Sequence, residues 1–222
     1  MIKHLIFDFD GVIVDSEILA AKAFSQVLSY MKIESKYTTE FIAEKFAGNK
    51  MIKVAGEICK MHNIKDANSY LNNVMKLVSE LYNKNLKSVN GIDDFLKQNN
   101  SNLYISSNSG KQRIIKGLYQ VGLANYFKED KIYTFEMVKN PKPSPDIYIK
   151  TIEDNNLDPE ESIVFEDSVP GVKAASSANL KVIGITAASH WKNKKSDSLI
   201  EAGSFAIMNS YSEYNKILKL LN

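Results

Sequence analysis

The hydrophobic pattern at the start of the chain predicts a buried strand. Residues 5–7 are consecutive apolar side chains, which is typical of a strand covered on both faces of a sheet. The run stops at Asp8, and Gly11 allows a sharp turn shortly afterwards. Ligands of an open α/β sheet bind at the carboxyl ends of its strands, so we expect Asp8 and Asp10 to belong to a functional site.

The segment 16–88 has a helical pattern and contains no convincing strand. Apolar residues recur at three- and four-residue intervals, which predicts helices at Glu17–Met31, Thr39–Ala47, Lys50–His62 and Asp66–Tyr82. Gly48 separates the second of these helices from the third. We therefore expect residues 16–88 to form an inserted helical cap domain.

Strands and helices alternate after Gly91. Apolar runs predict strands at Asn102–Ser106, Lys131–Thr134, Ser162–Phe165, Lys181–Ile185 and Ala206–Met208. Helices are expected at Ile92–Gln98, Lys111–Val121, Pro145–Asn155, Pro170–Ala178 and the C-terminus. This alternation favours right-handed crossovers and helices on both faces of the sheet. The predicted fold class is α/β: a doubly wound parallel sheet in a core domain of residues 1–15 and 89–222, with the all-helical cap inserted.

Composition excludes several classes of partner. The chain is 44% hydrophobic and 24% charged, which is ordinary for a globular protein. Its 28 Lys and Arg residues barely exceed its 26 Asp and Glu residues, and no basic stripe indicates nucleic-acid binding. No apolar run approaches the roughly 20 residues that span a bilayer, and no cleavable signal precedes the first strand. We expect a cytoplasmic monomer with no nucleic-acid or membrane partner.

The pair Asp8 and Asp10 indicates metal binding, acid/base chemistry or both. Side chains alternate along an extended chain, so both carboxylates would lie on one side. Such close like charges are costly unless a divalent cation or a shared proton relieves them. A calcium loop does not fit, because Val12 and Ile13 stand where that motif needs an oxygen ligand and a glycine. A simple polar strand end remains the alternative.

Three further segments carry polar groups that would meet at the same edge of the sheet. The segment ISSNSG contains Ser107 and Asn108, which can bind an oxyanion. Prolines stiffen the backbone around Lys142, although a solvated turn lysine is the alternative. Glu166 and Asp167 follow the run SIVF as a second acidic pair. Together these groups could bind Mg²⁺ and phosphate oxygens and supply an attacking carboxylate, as phosphoryl transfer requires.

Four segments of the chain resemble, in this order, the four motifs of the haloacid dehalogenase superfamily of phosphohydrolases. They are DFDGVIVDS, ISSNS, KPSPDIY and IVFEDSVPGVKAA. The helical segment stands where the β-phosphoglucomutase-like branch has its cap, and GVIVDSE and GNK are similar to 6-phosphogluconate phosphatases. The resemblance implies that Asp8 is the nucleophile and Asp10 the general acid/base. It also implies that Ser107 and Asn108 bind the phosphoryl group while Lys142 neutralises it.

The same resemblance implies a Mg²⁺ cofactor. Asp8, Asp167 and the backbone carbonyl of Asp10 would be its ligands, and Glu166 would support Lys142 and the water shell of the metal. Such a protein would be a phosphatase that acts on a small phosphorylated metabolite, a sugar or sugar-acid phosphate, through an aspartyl-phosphate.

Two alternatives stay open at this point. A β-phosphoglucomutase of this branch carries a histidine on the first cap helix, where this chain has Ala20, and this difference favours the phosphatase. A non-catalytic binding protein with the same fold is the second alternative.

For specificity we expect the loop FAGNKM at residues 46–51 to face the site, with Asn49 and Lys50 as substrate contacts, although a solvated lysine at a helix start fits equally. No motif surrounds the three histidines, which we expect to be structural: His4, His62 and His190.

Overall fold

The structure is a computed structural model that describes residues 1–34, 36–46, 49–192 and 194–220. The chain divides into two compact units. The core unit comprises Met1–Asp15 and Lys87–Asn222, and the helical unit comprises Ser16–Leu86. Across the described ranges, no helix combines the length and the apolar character that a membrane span needs.

The core unit is built on a six-stranded sheet. In chain order its strands β1 to β6 are His4–Phe7, Asn102–Ser107, Ile132–Thr134, Ser162–Glu166, Lys181–Ile185 and Ala206–Met208. Their spatial order is β3-β2-β1-β4-β5-β6, and every neighbouring pair is parallel. The predicted doubly wound parallel sheet is thereby confirmed. The order reverses beside β1, which is where ligands bind in sheets of this kind.

Apolar side chains cover both faces of the sheet, which explains the unbroken hydrophobic runs of its central strands. Ile6 belongs to a buried cluster that includes Tyr148. The next side chain, Phe7, points to the opposite face because successive strand residues alternate. It stacks on Phe165 with ring centroids 4.7 Å apart and meets Phe95 edge-on at 6.3 Å.

The helical unit has a hydrophobic core of its own. Its helices α1 to α4 are Glu17–Tyr30, Thr39–Phe46, Met51–Met61 and Ala67–Asn85. Their apolar faces form one buried cluster, within which the Tyr70 hydroxyl donates to the Phe24 carbonyl at 3.0 Å. Asp66 caps α4 by accepting from the Ser69 N–H at 2.9 Å. The predicted helices are present, but α4 extends to Asn85, and Ala47 at the predicted end of α2 lies outside the described residues.

Six helices complete the described part of the core unit. In chain order, α5 to α10 are Ile92–Lys97, Lys111–Gln120, Asp146–Asn155, Val169–Ser177, Asp197–Glu201 and Tyr214–Leu218. The predicted bounds agree to within one residue for α5 to α8. Helix α9 was not predicted, because its only apolar residues, Leu199 and Ile200, are adjacent and show no helical period.

We expect Phe7→Ala to lower the free energy of unfolding of the core unit by about 3–5 kcal/mol, because the change leaves a cavity among buried aromatic rings. Urea unfolding followed by tryptophan fluorescence measures this effect. Trp191 is the single tryptophan of the chain and belongs to the core cluster, so the signal reports on this unit.

The control is Tyr119→Ala, which truncates an exposed aromatic side chain of the same unit. It should change the free energy of unfolding by no more than about 0.5 kcal/mol. Equal effects of the two substitutions would contradict the placement of Phe7 at the centre of the core.

Candidate active site

The register of the sheet brings three strand ends to the same level. Strand β1 pairs with β2 on one side and with β4 on the other. The N–H of Asp8, just past the end of β1, donates to the Phe165 carbonyl at 2.9 Å. Asp8, Ser106 and Glu166 therefore lie side by side on adjacent segments at the carboxyl edge.

Lys142 connects these three strand ends. Its Nζ donates to Asp8 Oδ1 at 2.8 Å, to the Ser106 carbonyl at 2.6 Å and to Glu166 Oε1 at 2.5 Å. Its side chain is only 4% exposed, so it is not the solvated turn lysine of the alternative interpretation. Burial works against its charge, but Asp8 and Glu166 outweigh burial and raise the pKa of Lys142. The lysine is therefore a fixed positive charge within the site.

Asn108 holds the backbone of Lys142 in place. Asn108 Nδ2 donates to the Lys142 carbonyl at 3.1 Å, and the Lys142 N–H donates to Asn108 Oδ1 at 3.0 Å. The Lys142–Pro143 peptide bond is cis. The sequence did not reveal this positioning contact, and phosphate binding by Asn108 stays a prediction. Ser107 is buried beside it, and its Oγ accepts from the Ser109 N–H at 3.2 Å.

Glu166 is completely buried and accepts hydrogen bonds from side chains around it. Besides Lys142, the Tyr148 hydroxyl donates to its Oε1 at 2.7 Å and Ser168 donates to its Oε2 at 3.2 Å. Helix α8 passes so close that a Cβ at Gly171 would lie 2.0 Å from the carboxylate. Both oxygens are thus engaged within the protein, an arrangement that suits support of Lys142 better than direct metal ligation.

The carboxylates of Asp8, Glu166 and Asp167 form a buried cluster in which each offers an oxygen within 4.8 Å of the others. Burial, with a contribution from Glu166, raises the pKa of Asp8 to about 7 despite the neighbouring lysine. Burial and the charges of Asp8 and Asp10 raise the pKa of Asp167 well above its ordinary value. A divalent cation would stabilise the ionised forms, and a hard ion with oxygen ligands at about 2.1 Å, such as Mg²⁺, fits this set.

Asp10 has different neighbours from the other acidic groups. Its Oδ2 accepts from Arg113 Nη1 at 2.5 Å and from Ser109 Oγ at 2.5 Å. Arg113 also contacts Ser109 Oγ at 2.6 Å. The guanidinium and the hydroxyl orient the carboxylate of Asp10. Sequence reasoning missed Arg113, because a basic residue in the first turns of α6 looks like an ordinary surface residue.

Asp167 packs against the loop that follows β1. Gly11 has a φ of +77°, and a Cβ there would lie 1.8 Å from Asp167 Oδ2, so only glycine fits. His190 Nε2 lies 3.1 Å from the same oxygen. No sequence motif surrounds His190, and we expected it to be purely structural, yet it contacts a predicted metal ligand.

The predicted specificity residues belong to the helical unit. Lys50 is exposed and immediately precedes α3. Asn49 Nδ2 donates to the Phe46 carbonyl at 3.2 Å, and its Oδ1 accepts from Lys53 Nζ at 3.2 Å. Ala47 and Gly48 of the same loop lie outside the described residues. Substrate contacts by Asn49 and Lys50 stay predictions.

We expect the metal-free protein to lose stability as the pH rises from about 4 to about 7. The pKa of Asp8 is about 4 in the unfolded chain and about 7 in the folded one, so the folded state binds the proton more tightly. The resulting stabilisation of the fold is complete below about pH 4 and is lost as the pH rises through about 7. Asp167 shifts in the same direction. Melting temperatures measured in EDTA across this range should therefore fall with increasing pH.

Asp167→Asn should reduce this fall, because it removes one of the mutually repelling carboxylates. Asp197→Asn is the matched control, since Asp197 is exposed on α9, and it should leave the fall unchanged. The same pH dependence in wild type and Asp167→Asn would contradict the electrostatic origin proposed for it.

Comparisons with known proteins agree with this fold. Residues 5–185 match a family model described as haloacid dehalogenase-like hydrolase. The chain is 30% identical to the phosphorylated carbohydrates phosphatase of Thermotoga maritima, over 99% of this chain and 100% of that protein. It is 23% identical to the 6-phosphogluconate phosphatase of Escherichia coli K12, over 86% of each. A solved structure, a conserved haloacid dehalogenase-like protein of unknown function from Agrobacterium tumefaciens, has a TM-score of 0.89 and 30% identity, covering 100% of this chain and 99% of that one. The chain therefore belongs to the haloacid dehalogenase-like hydrolase family.

Proposed function

We propose that this protein is a Mg²⁺-dependent phosphatase that hydrolyses a small sugar or sugar-acid phosphate through an aspartyl-phosphate on Asp8. The observation that carries the proposal is the buried contact between Lys142 and Asp8, next to Asp167. A phosphate dianion approaching Asp8 would meet fixed positive charge as well as a carboxylate, and negative charge spreads over the phosphoryl oxygens in the transition state. The phosphatases among the relatives support the substrate class.

Each proposed residue has a distinct task. Asp8 attacks phosphorus and forms the aspartyl-phosphate while the bond to the leaving alcohol breaks. Asp10 gives that alcohol a proton and later takes one from the water that attacks the intermediate, which releases inorganic phosphate and restores Asp8. Ser107 and Asn108 bind the phosphoryl oxygens, and Lys142 balances their charge.

The carboxylates at this edge would hold the metal ion. Asp8, Asp167 and the backbone carbonyl of Asp10 are the proposed ligands, while Glu166 supports Lys142 and the water shell. Bound Mg²⁺ would reduce the repulsion between the attacking carboxylate and the phosphate. This assignment agrees with the donor set, because the site is rich in hard oxygen ligands.

The decisive experiment incubates the purified protein with sugar phosphates, 6-phosphogluconate and a small aryl phosphate, with Mg²⁺ or with EDTA. We expect inorganic phosphate to be released from at least one sugar or sugar-acid phosphate, and only when Mg²⁺ is present. Turnover that is independent of divalent cations would contradict the metal assignment. If no member of the panel released inorganic phosphate, the proposal that the protein is a phosphatase would be overturned.

A mutase is the second candidate, and the residue at position 20 separates the two. A mutase must protect its aspartyl-phosphate from water until the sugar has turned over, so its cap needs a group that senses the sugar. Ala20 cannot supply a hydrogen bond from its side chain. With β-glucose 1-phosphate and a trace of the 1,6-bisphosphate, free phosphate should therefore accumulate. Rapid formation of glucose 6-phosphate with little free phosphate would establish the mutase instead.

We expect Asp8→Asn to abolish turnover, because an amide cannot attack phosphorus in place of the carboxylate. Asp10→Asn should retain the nucleophile and lower kcat by about 10²–10⁴-fold, the contribution of a positioned acid/base group. Steady-state phosphate release measures both effects. Asp197→Asn, the same change at an exposed position, should keep wild-type kcat. Full activity of Asp8→Asn would refute the covalent mechanism.

The helical unit is the proposed cap, and Lys50 its specificity residue. We expect Lys50→Ala to raise KM for the preferred sugar phosphate while leaving the hydrolysis of a small aryl phosphate nearly unchanged, because the aryl substrate has no polar body to contact. The matched control is Lys60→Ala at the far end of α3, where the lysine is also exposed. Equal losses with both substrates would show that Lys50 does not contact the sugar.

A further inference from the structure

His190 lies against the acidic cluster but has no task in the mechanism above. Its Nε2 is 3.1 Å from Asp167 Oδ2, and the two side chains are 3% and 6% exposed. His190 is therefore a buried side chain and not a solvated surface histidine. The contact joins the segment after β5 to the end of β4, two parts of the core unit that no shared sequence motif connects.

The backbone around His190 is fixed on both sides. Residues Ser189–Trp191 form a 3₁₀ turn. Asp15 accepts hydrogen bonds from the Ser189 N–H, at 3.2 Å, and from the Ser189 hydroxyl. On the other side, Trp191 packs into the hydrophobic cluster of the core unit. The imidazole therefore reaches Asp167 from a rigid turn.

The loop after β1 confines the same pair from a second direction. A Cβ at Gly11 would lie 1.8 Å from Asp167 Oδ2 and 3.1 Å from His190 Cε1. Asp167 thus has one oxygen, Oδ2, held between the Gly11 backbone and the His190 ring. An N–H donor on one carboxylate oxygen fixes the plane of the group, and this determines where the other oxygen is presented to a ligand.

We propose that His190 is a positioning residue for the metal site: its Nε2–H donates to Asp167 Oδ2 and holds that carboxylate in the orientation that binds the divalent cation. This inference rests on the proposed function, because it takes Asp167 as a metal ligand. It assigns His190 neither a proton transfer nor a contact with substrate. Loss of such a partner typically weakens metal binding by about 10–100-fold.

The test measures Mn²⁺ binding to the purified full chain by electron paramagnetic resonance, with Mg²⁺ as a competitor. His190→Phe keeps a planar ring without a donor, and we expect its Kd for Mn²⁺ to rise by about 10–100-fold. His190→Asn is too short to reach Asp167 and should show the same loss, so it replaces the Phe variant if that protein does not fold. His190→Gln can place an N–H near the original Nε2 and should recover most of the affinity.

Two further variants make the outcomes distinct. His4→Phe applies the same change at the opposite end of β1 and should bind Mn²⁺ like wild type. Asp167→Asn should weaken Mn²⁺ binding at least as much as His190→Phe does, which identifies the measured site as the proposed one. Wild-type affinity for Mn²⁺ in both His190→Phe and His190→Asn would overturn the proposed role of His190 and leave the proposed metal site standing. Absence of Mn²⁺ binding in the wild type, or an unchanged Kd in Asp167→Asn, would overturn the proposed metal site and the role of His190 with it.

Discussion

The buried ammonium of Lys142 is the interaction on which the arrangement of the site depends. Removing such a charge from water costs several kcal/mol unless it is paired and fully hydrogen-bonded. Its three acceptors belong to Asp8, Ser106 and Glu166, which stand 134, 36 and 24 residues away in the chain. They meet only when β2, β1 and β4 lie side by side, so the charge is tolerated only in the completed sheet. Two hydrogen bonds from the Asn108 side chain hold the backbone of Lys142, and the Tyr148 hydroxyl holds Glu166.

The sheet could be predicted from sequence because its central strands are covered on both faces. Burial on both faces requires an unbroken apolar run, as in residues 5–7 and 163–165, and such a run is visible without any knowledge of long-range contacts. The polar groups of the site were visible for a related reason, since they follow the end of such a run or, for Lys142, lie between prolines. Helix α9 was not predicted because its two apolar residues are adjacent and show no helical period.

The residues that support the site could not be predicted in the same way. Arg113, Tyr148 and His190 each support the site through a contact with a residue distant in the chain, and the Arg113 contact spans 103 residues. A basic residue on a helix, a tyrosine in an apolar helix face and a histidine in a loop are ordinary features of any chain. What distinguishes them is the side chain that the tertiary fold places beside them, and a single sequence contains no record of that neighbour.

The fold holds the carboxylates of the acidic cluster closer together than their mutual repulsion would allow in a flexible chain. Burial raises the pKa of Asp8 to about 7, and burial with the charges of Asp8 and Asp10 raises that of Asp167 well above its ordinary value, so the folded protein holds these groups where ionisation is unfavourable. The backbone approaches so closely that a side chain at Gly11 or Gly171 would overlap a carboxylate. Packing and the contacts with Lys142 therefore set the positions of these carboxylates, which repel one another. A site in which ionisation is costly and oxygen ligands are fixed in advance gains more from a divalent cation than a solvated cluster would, because little has to be reorganised when the ion binds.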